Sequence, residues 1–572
     1  MIRADINCGM LLGAACLLTS PPGVLYADMP CQSVGEPAKP NFDFTADLSR
    51  WGSAQGNESI TGEKLKVKSI TINKLPIFDE SDPRENNLLY RWANKVHIET
   101  RDKVVREQLL FAEGDEVDAR LLAESERLTR DNKYASDARI RILEQCENND
   151  VKLEVVTREV WTLTPEVSLK SAGGDTSFKI GMRDSNFLGT GHQIATTFKD
   201  DAERQMYTLQ YRDQNYLGKR LVLDANISDN SDGFGYRFEL ALPFYSLESR
   251  QAWSLKLLQA EQTLSQYDNA KKVSEVSEAR QFVDVSWGYS KGLNANYVNR
   301  WLFGIRHDAR DYSPGADLPL PHRPTQDRNL TYPYMEFERI EDDYVTGYNI
   351  SQIYRTEDLH VGKHFRFSIG SNANQTVIDG SYSTTLLFLP KTLLQLAATI
   401  EGTREANNRT WRDVQSEIKL DYHRGQTETR SLYIGLTSIF SRNQTNGRQG
   451  SLGGNNGLRG FGSHFLTGEK SVLLTLEQRQ FTSLHLFNLV RVGYAAFIDV
   501  GKVFDQYGLN GEGSRVSSGV HSNIGVGLRL APSKSEKGQV IHIDLAYPLT
   551  GNFDLPGLGR SIQFVAELKK SF

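Results

Sequence analysis

Arg459 sits between two glycines, Gly457 and Gly460, with Phe461 just beyond, and two carboxylates, Glu477 and Asp499, stand further along the chain. A guanidinium presents its N–H groups as a planar fork that can seat on a carboxylate through two parallel hydrogen bonds, a geometry that lysine cannot reproduce. Side-chain parity bears on whether these groups can meet. In the segment 472–477, Val472, Leu474 and Leu476 share one face and Glu477 takes the other; in 494–500, Tyr494, Ala496, Ile498 and Val500 share a face and Asp499 takes the other. If the apolar faces look outward, both carboxylates look inward. Two readings then stand. Arg459 enters the interior and pairs with Asp499, Glu477 or both, the glycines permitting a tight backbone path; or it lies on a solvated loop tip while the carboxylates line a wet pore.

Other residues suggest less chemistry. His360 and His364 are four apart in strand-rich sequence, without the glutamate of a zinc-protease helix. Gly189-Thr190-Gly191 lacks the strand-to-helix context of a dinucleotide loop, and the chain contains no G-x-S-x-G elbow. The expectation is a protein without a catalytic constellation, metal site or cofactor. Of 4 cysteines, Cys8 and Cys16 lie in a leader-like segment, while Cys31 and Cys146 could pair in an oxidising compartment or remain thiols.

The elements that must carry these residues are legible in the patterning. Charged residues make up 24%, apolar residues 39%, and the net charge is -5, with no clustered basic face to suggest nucleic acid. Arg3, the apolar run Met10 to Leu18 and the Leu25-Tyr26-Ala27 site predict a secretory signal over 1–27. Residues 28–63 are polar and proline-bearing, a linker. From 64 to 162 the pattern reads strand (Leu65 to Ile72), helix from Thr100 to Gly114, helix around Leu121, Leu122, Ser125 and Leu128, then strands over 138–143 and 151–156.

From 163 to 572 helical periodicity is gone and short alternating segments recur, separated by Gly, Asn, Asp and Pro. No apolar run of about 20 residues follows the leader, so a helical membrane span is not indicated. A membrane strand meets lipid only at every second side chain, and closing a sheet removes its exposed edges. The expected fold is membrane all-β: an antiparallel transmembrane β-barrel of about 16 strands over 163–572. A small α+β domain of order β-α-α-β-β precedes it. In the tail, Ile562, Phe564, Ala566, Leu568 and Phe572 share a face that Lys570 interrupts.

Several segments resemble one family. Gly457-Leu458-Arg459-Gly460-Phe461 is similar to the [V/L]-R-G-[F/Y] loop motif of the BamA/TamA superfamily, the bacterial surface antigen family. Phe497 to Phe504 resembles its F-x-D-x-G-x-V-[W/F] strand, Asp184 to Gly191 its early D-x-N-[FL]-x-G-x-G turn, and the tail with Phe564, Leu568 and Phe572 its C-terminal assembly signal. The 64–162 pattern resembles a single POTRA domain, with Gly114 to Asp118 as its inter-helix turn. The resemblance implies an outer-membrane protein with a periplasmic N-terminal domain, whose sixth extracellular loop folds into the lumen so that Arg459 meets the inward carboxylates.

It also implies partners: unfolded or nascent outer-membrane or secreted proteins, and outer-membrane lipid, handled by a monomeric barrel. The leading expectation is help in inserting or translocating such clients without chemical catalysis. A two-partner-secretion exporter and a passive pore or surface antigen are the alternatives.

Overall fold

The computed structural model describes residues 31–42, 64–172, 175–201, 203–268, 270–321, 325–445, 447–504, 519–536, 538, 540–550 and 562–569. The expected signal over 1–27 and the terminal Phe572 therefore lie outside the described residues, and so does the side chain of Leu568.

The N-terminal domain runs β1 (Cys31–Ser33), β2 (Leu65–Leu75), α1 (Leu88–Val96), α2 (Asp102–Arg106), β3 (Glu116–Val117), α3 (Ala119–Asp131), β4 (Ala135–Cys146) and β5 (Asp150–Glu159). Its sheet has the order β1-β4-β5-β2-β3. The β-α-α-β-β order is thereby corrected. The helix expected from Thr100 to Gly114 ends at Arg106, because the residues beyond it are used differently: Leu109 and Phe111 enter the core from irregular chain. Glu116 and Val117, read as a turn, pair with Lys66 and Leu65. Helix α1 lay outside every expected element. Part of the expected linker is also built in, since Cys31 pairs in register with Cys146 and is joined to it by a disulfide. Ala38 N donates to Glu154 Oε1 at 3.0 Å.

Beyond Trp161 the alternating segments close into a barrel of 20 antiparallel strands, from β6 (Leu163–Ala172) to the last strand, Gln563–Lys569. The expectation of about 16 strands is overturned. Several reversals are too short to interrupt the alternating pattern: Ala295, Lys391 and Phe487 take positive φ at tight turns of a few residues, so alternation reads as continuous across them. Outward positions carry large exposed apolar side chains, among them Val283, Val285, Trp287, Phe303, Ile305 and Phe367. Inward neighbours such as Asp284, Ser286, Arg300, Asp308 and Ser368 are buried. That is the inverse of a soluble protein and the pattern of a lipid-facing wall.

The wall is unequal around its circumference. The last strand joins β6 through three pairs among the described residues, Phe564–Ser171, Val565–Lys170 and Ala566–Leu169. By contrast, 18 pairs join Gln251–Asp268 to Lys271–Asn294 and seven join Val540–Pro548 to the last strand. At one rim the N-terminal domain sits on the turns: Asn186 Nδ2 donates to Thr100 Oγ1 at 2.9 Å, Leu247 N to Glu124 Oε1 at 2.8 Å, and Lys534 Nζ to Ile77 O at 3.0 Å.

Candidate functional site

Two chain segments fold into the barrel, one from each end. The outer one, 443–469, links strands Arg430–Arg442 and Lys470–Leu486 and contains a small hairpin, Gly450–Leu452 paired with Leu466–Gly468. Leu452, Leu458, Phe461, Phe465 and Leu466 form its apolar core with Val503 of the wall. Phe461 stacks on Phe465 at 4.7 Å, and both meet the His521 ring edge-on. Gly457 takes φ +116°, and a Cβ there would lie 2.1 Å from Leu473 Cδ2; one on Gly460 would lie 2.6 Å from Asn523 Cβ. At Gly457 the positive φ itself disfavours any other residue, and a side chain at Gly460 would run into Asn523 and the Pro548 backbone.

This path delivers Arg459 to the interior. Its Nε and Nη2 donate to the two oxygens of Asp499, each at 2.9 Å, which is the two-pronged fork. Its Nη1 reaches Glu477 at 3.2 Å and Asp544 at 3.1 Å, and its guanidinium carbon lies 3.3 Å from the centre of the Phe497 ring. Glu477 also accepts from Arg479 at 3.0 Å and Arg529 at 3.1 Å, while Arg529 reaches Asp544 as well. Thr475 and Asn523 donate to the remaining capacity of Asp499. Three arginines thus face three carboxylates, all buried. Buried ions are costly to desolvate, and this set offsets the cost by neutrality and by satisfying each carboxylate with several donors.

The sequence motifs lead only to Glu477 and Asp499 as partners of Arg459. Asp544 shares an inward face with His542 on Val540–Pro548, and Arg529 alternates with outward Leu528 on His521–Pro532. The same parity argument could have found both. Phe564 lies on the last strand with its side chain exposed outward. Cys31 and Cys146 belong to the N-terminal sheet, away from the lumen. His360 Nε2 hydrogen-bonds Glu341 O at 2.6 Å and His364 Nε2 meets Glu338 Oε1 at 2.9 Å, so the two rings turn to different partners.

The inner segment, 342–363, links Arg328–Glu341 to His364–Ser371 and carries the hairpin Tyr344–Gly347 with Glu357–His360. Ile350 and Leu359 pack against Leu393, and Ile353 packs against Phe481, Ala531 and Val540. The Glu357 carboxylate accepts from the backbone N–H groups of Ile350, Ser351 and Gln352. Arg479 links the inner segment to the cluster that holds Arg459: its Nε donates to Glu477 and its Nη1 donates to Ile350 O at 3.1 Å.

No protein-family model matches this chain, and no curated protein matches its sequence. Among solved structures it is similar to BamA from Haemophilus ducreyi lacking POTRA domains 1-3 (12% identity, 89% of this chain and 85% of that one, TM-score 0.38). It is also similar to CdiB from Acinetobacter baumannii (10% identity, 89% and 74%, TM-score 0.43) and CdiB from Escherichia coli (10% identity, 91% and 94%, TM-score 0.35).

Proposed function

We propose that this protein spans the bacterial outer membrane as a barrel of the BamA/TamA kind, with its N-terminal domain in the periplasm. Its role is to pass client polypeptides into or across that membrane without chemical catalysis. The observation that carries the reading is the short seam between β6 and the last strand, three pairs among the described residues, set in a wall whose lumen is entered by segments from both ends. A passive pore needs an open lumen and gains nothing from a weak seam. A protein that admits clients sideways needs that seam, together with a plug keeping the lumen shut while it opens. The Arg459 cluster acts as the lock on the outer plug.

The test is a disulfide across the seam, Leu169→Cys with Ala566→Cys, two positions that face each other in register. Cells producing the oxidised double variant should lose a subset of outer-membrane or secreted proteins by quantitative proteomics, and reductant should restore them. An unchanged proteome, together with steady ion conductance of the oxidised protein in planar bilayers, would establish the passive pore instead.

A further inference from the structure

Helix α1 shows its apolar side to the outside. Leu88, Trp92 and Val96 recur at four-residue spacing and are 78%, 59% and 43% exposed, and Leu89 beside them is 64% exposed. The opposite side of the helix is the packed one: Tyr90 stacks on Phe78 at 4.2 Å, and Asn94 bonds the Phe78 backbone in both directions. Asn87 caps the helix by accepting from Tyr90 N. Arg91 and Lys95, both exposed, lie along one border of the apolar stripe.

Three further observations say what covers this face. The helix abuts the wall's apolar exterior: from its packed side Tyr90 OH donates to Phe487 O, and Leu484, Leu486 and Phe487 at that turn are exposed. A cavity of about 520 Å³ separates α1 from the wall. It is lined by Leu89 and Ala93 of the helix, by Leu163 and Val167 of β6, and by Leu489 and Ile541. Leu163 and Val167 point away from the lumen, since Thr164 and Glu166 between them are buried inward, so the cavity opens on the side where lipid would lie. Charge completes the set, because a basic border beside an apolar stripe suits anionic headgroups above acyl chains.

We propose that α1 is an amphipathic anchor lying in the periplasmic leaflet beside the seam, and that the cavity behind it holds an acyl chain of a leaflet glycerophospholipid. This rests on the reading that the barrel spans the membrane. The helix fixes the N-terminal domain at bilayer depth below β6, and a lipid tail fills the cavity between them.

The experiment uses the full chain in vesicles of phosphatidylethanolamine and phosphatidylglycerol, labelled with an environment-sensitive fluorophore at Leu89→Cys. Val285→Cys on the wall exterior and Lys64→Cys on the exposed far part of the domain serve as references. Lipids brominated along the acyl chain should quench the Leu89 and Val285 labels and spare the Lys64 label, and Trp92→Glu should return the Leu89 label to the Lys64 level. Quenching at Val285 without quenching at Leu89 overturns the anchor and leaves the membrane reading standing. Absence of quenching at both removes the membrane reading and the anchor with it. Shielding of Leu89 that grows with protein-to-lipid ratio would assign the face to a second copy and overturn the lipid proposal.

Discussion

The two segments folded into the barrel hold their places by different physics. The outer one adds charge to its apolar contact with Val503: Arg459 is surrounded by Asp499, Glu477 and Asp544, all on wall strands. The inner one is ordered internally by backbone hydrogen bonds to its own Glu357, packs apolar side chains on the wall, and is held by contacts with a second body. Arg130 of α3 donates to Asp358 at 2.9 Å, Thr356 donates to Asp137 at 2.6 Å, and Arg127 lies 3.7 Å above the Tyr344 ring. An outer segment fixed only to the wall moves only if the wall moves. An inner segment shared between wall and N-terminal domain can report the position of that domain to the lumen. Arg479 links the inner segment to the outer cluster, so displacement of Ile350 removes a hydrogen bond from an arginine that also serves that cluster.

The largest break in this comparison is expected at Arg459. Arg459→Met leaves Asp499 and Glu477 short of compensation, at about 3–5 kcal/mol. Arg459→Lys keeps the charge and loses the fork, so it should fall between Met and the parent. Differential scanning calorimetry of the detergent-solubilised chain should rank the three in that order. A Lys variant as stable as the parent would show that charge alone holds the outer segment. Both variants should leave hydrogen exchange at 342–363 nearly unchanged, unless Arg479 couples the segments more tightly than one bond implies.

A smaller effect is expected from proton uptake at the inner segment. Burial pushes the Glu357 carboxyl up to about 7 from its ordinary 4.5, despite the backbone N–H groups that favour its charged form. A carboxyl whose folded value lies above its unfolded value binds its proton more tightly when folded. Its stabilising contribution is therefore complete below 4.5 and declines as pH rises to about 7. The full swing corresponds to about 3 kcal/mol. Amide exchange at Ile350, Ser351 and Gln352, corrected for the intrinsic pH dependence, should accelerate over that range, and Glu357→Gln should flatten the profile. A parallel profile in the Gln variant would assign the change to another group.

What the sequence disclosed follows the same division. The outer site was legible because alternation fixes which side of a strand a residue takes, and the wall strands bearing Glu477 and Asp499 alternate cleanly. Arg479 and Asp544 obey the same rule. What parity cannot supply is which inward groups meet across the lumen, since that depends on strand order and stagger. The inner segment has no such regularity. Its 22 residues between wall strands look like one more turn-rich stretch, and its partners Arg127, Arg130 and Asp137 lie over two hundred positions away. Helix α1 was missed for a related reason: its stripe faces outward, so nothing in the domain's core pattern required it.

The mildest perturbation is also the sharpest test of whether the inner segment links the N-terminal domain to the lumen. Asp358→Asn keeps an acceptor opposite Arg130 and removes the charge. Arg130 retains Glu126 and Asp137, at 3.1 and 3.5 Å, so the domain itself should hold its fold. The expected cost is about 1–2 kcal/mol, the difference between a charged and a neutral hydrogen bond at a partly buried site. Exchange should rise in two places together: the hairpin Tyr344–Gly347 with Glu357–His360, and the α3 rim that faces it. The region 443–469 should not change, because its anchors lie on the wall. If only the hairpin loosened, the segment would be a passive plug; if 443–469 loosened with it, Arg479 would be a relay between the two ends of the lumen.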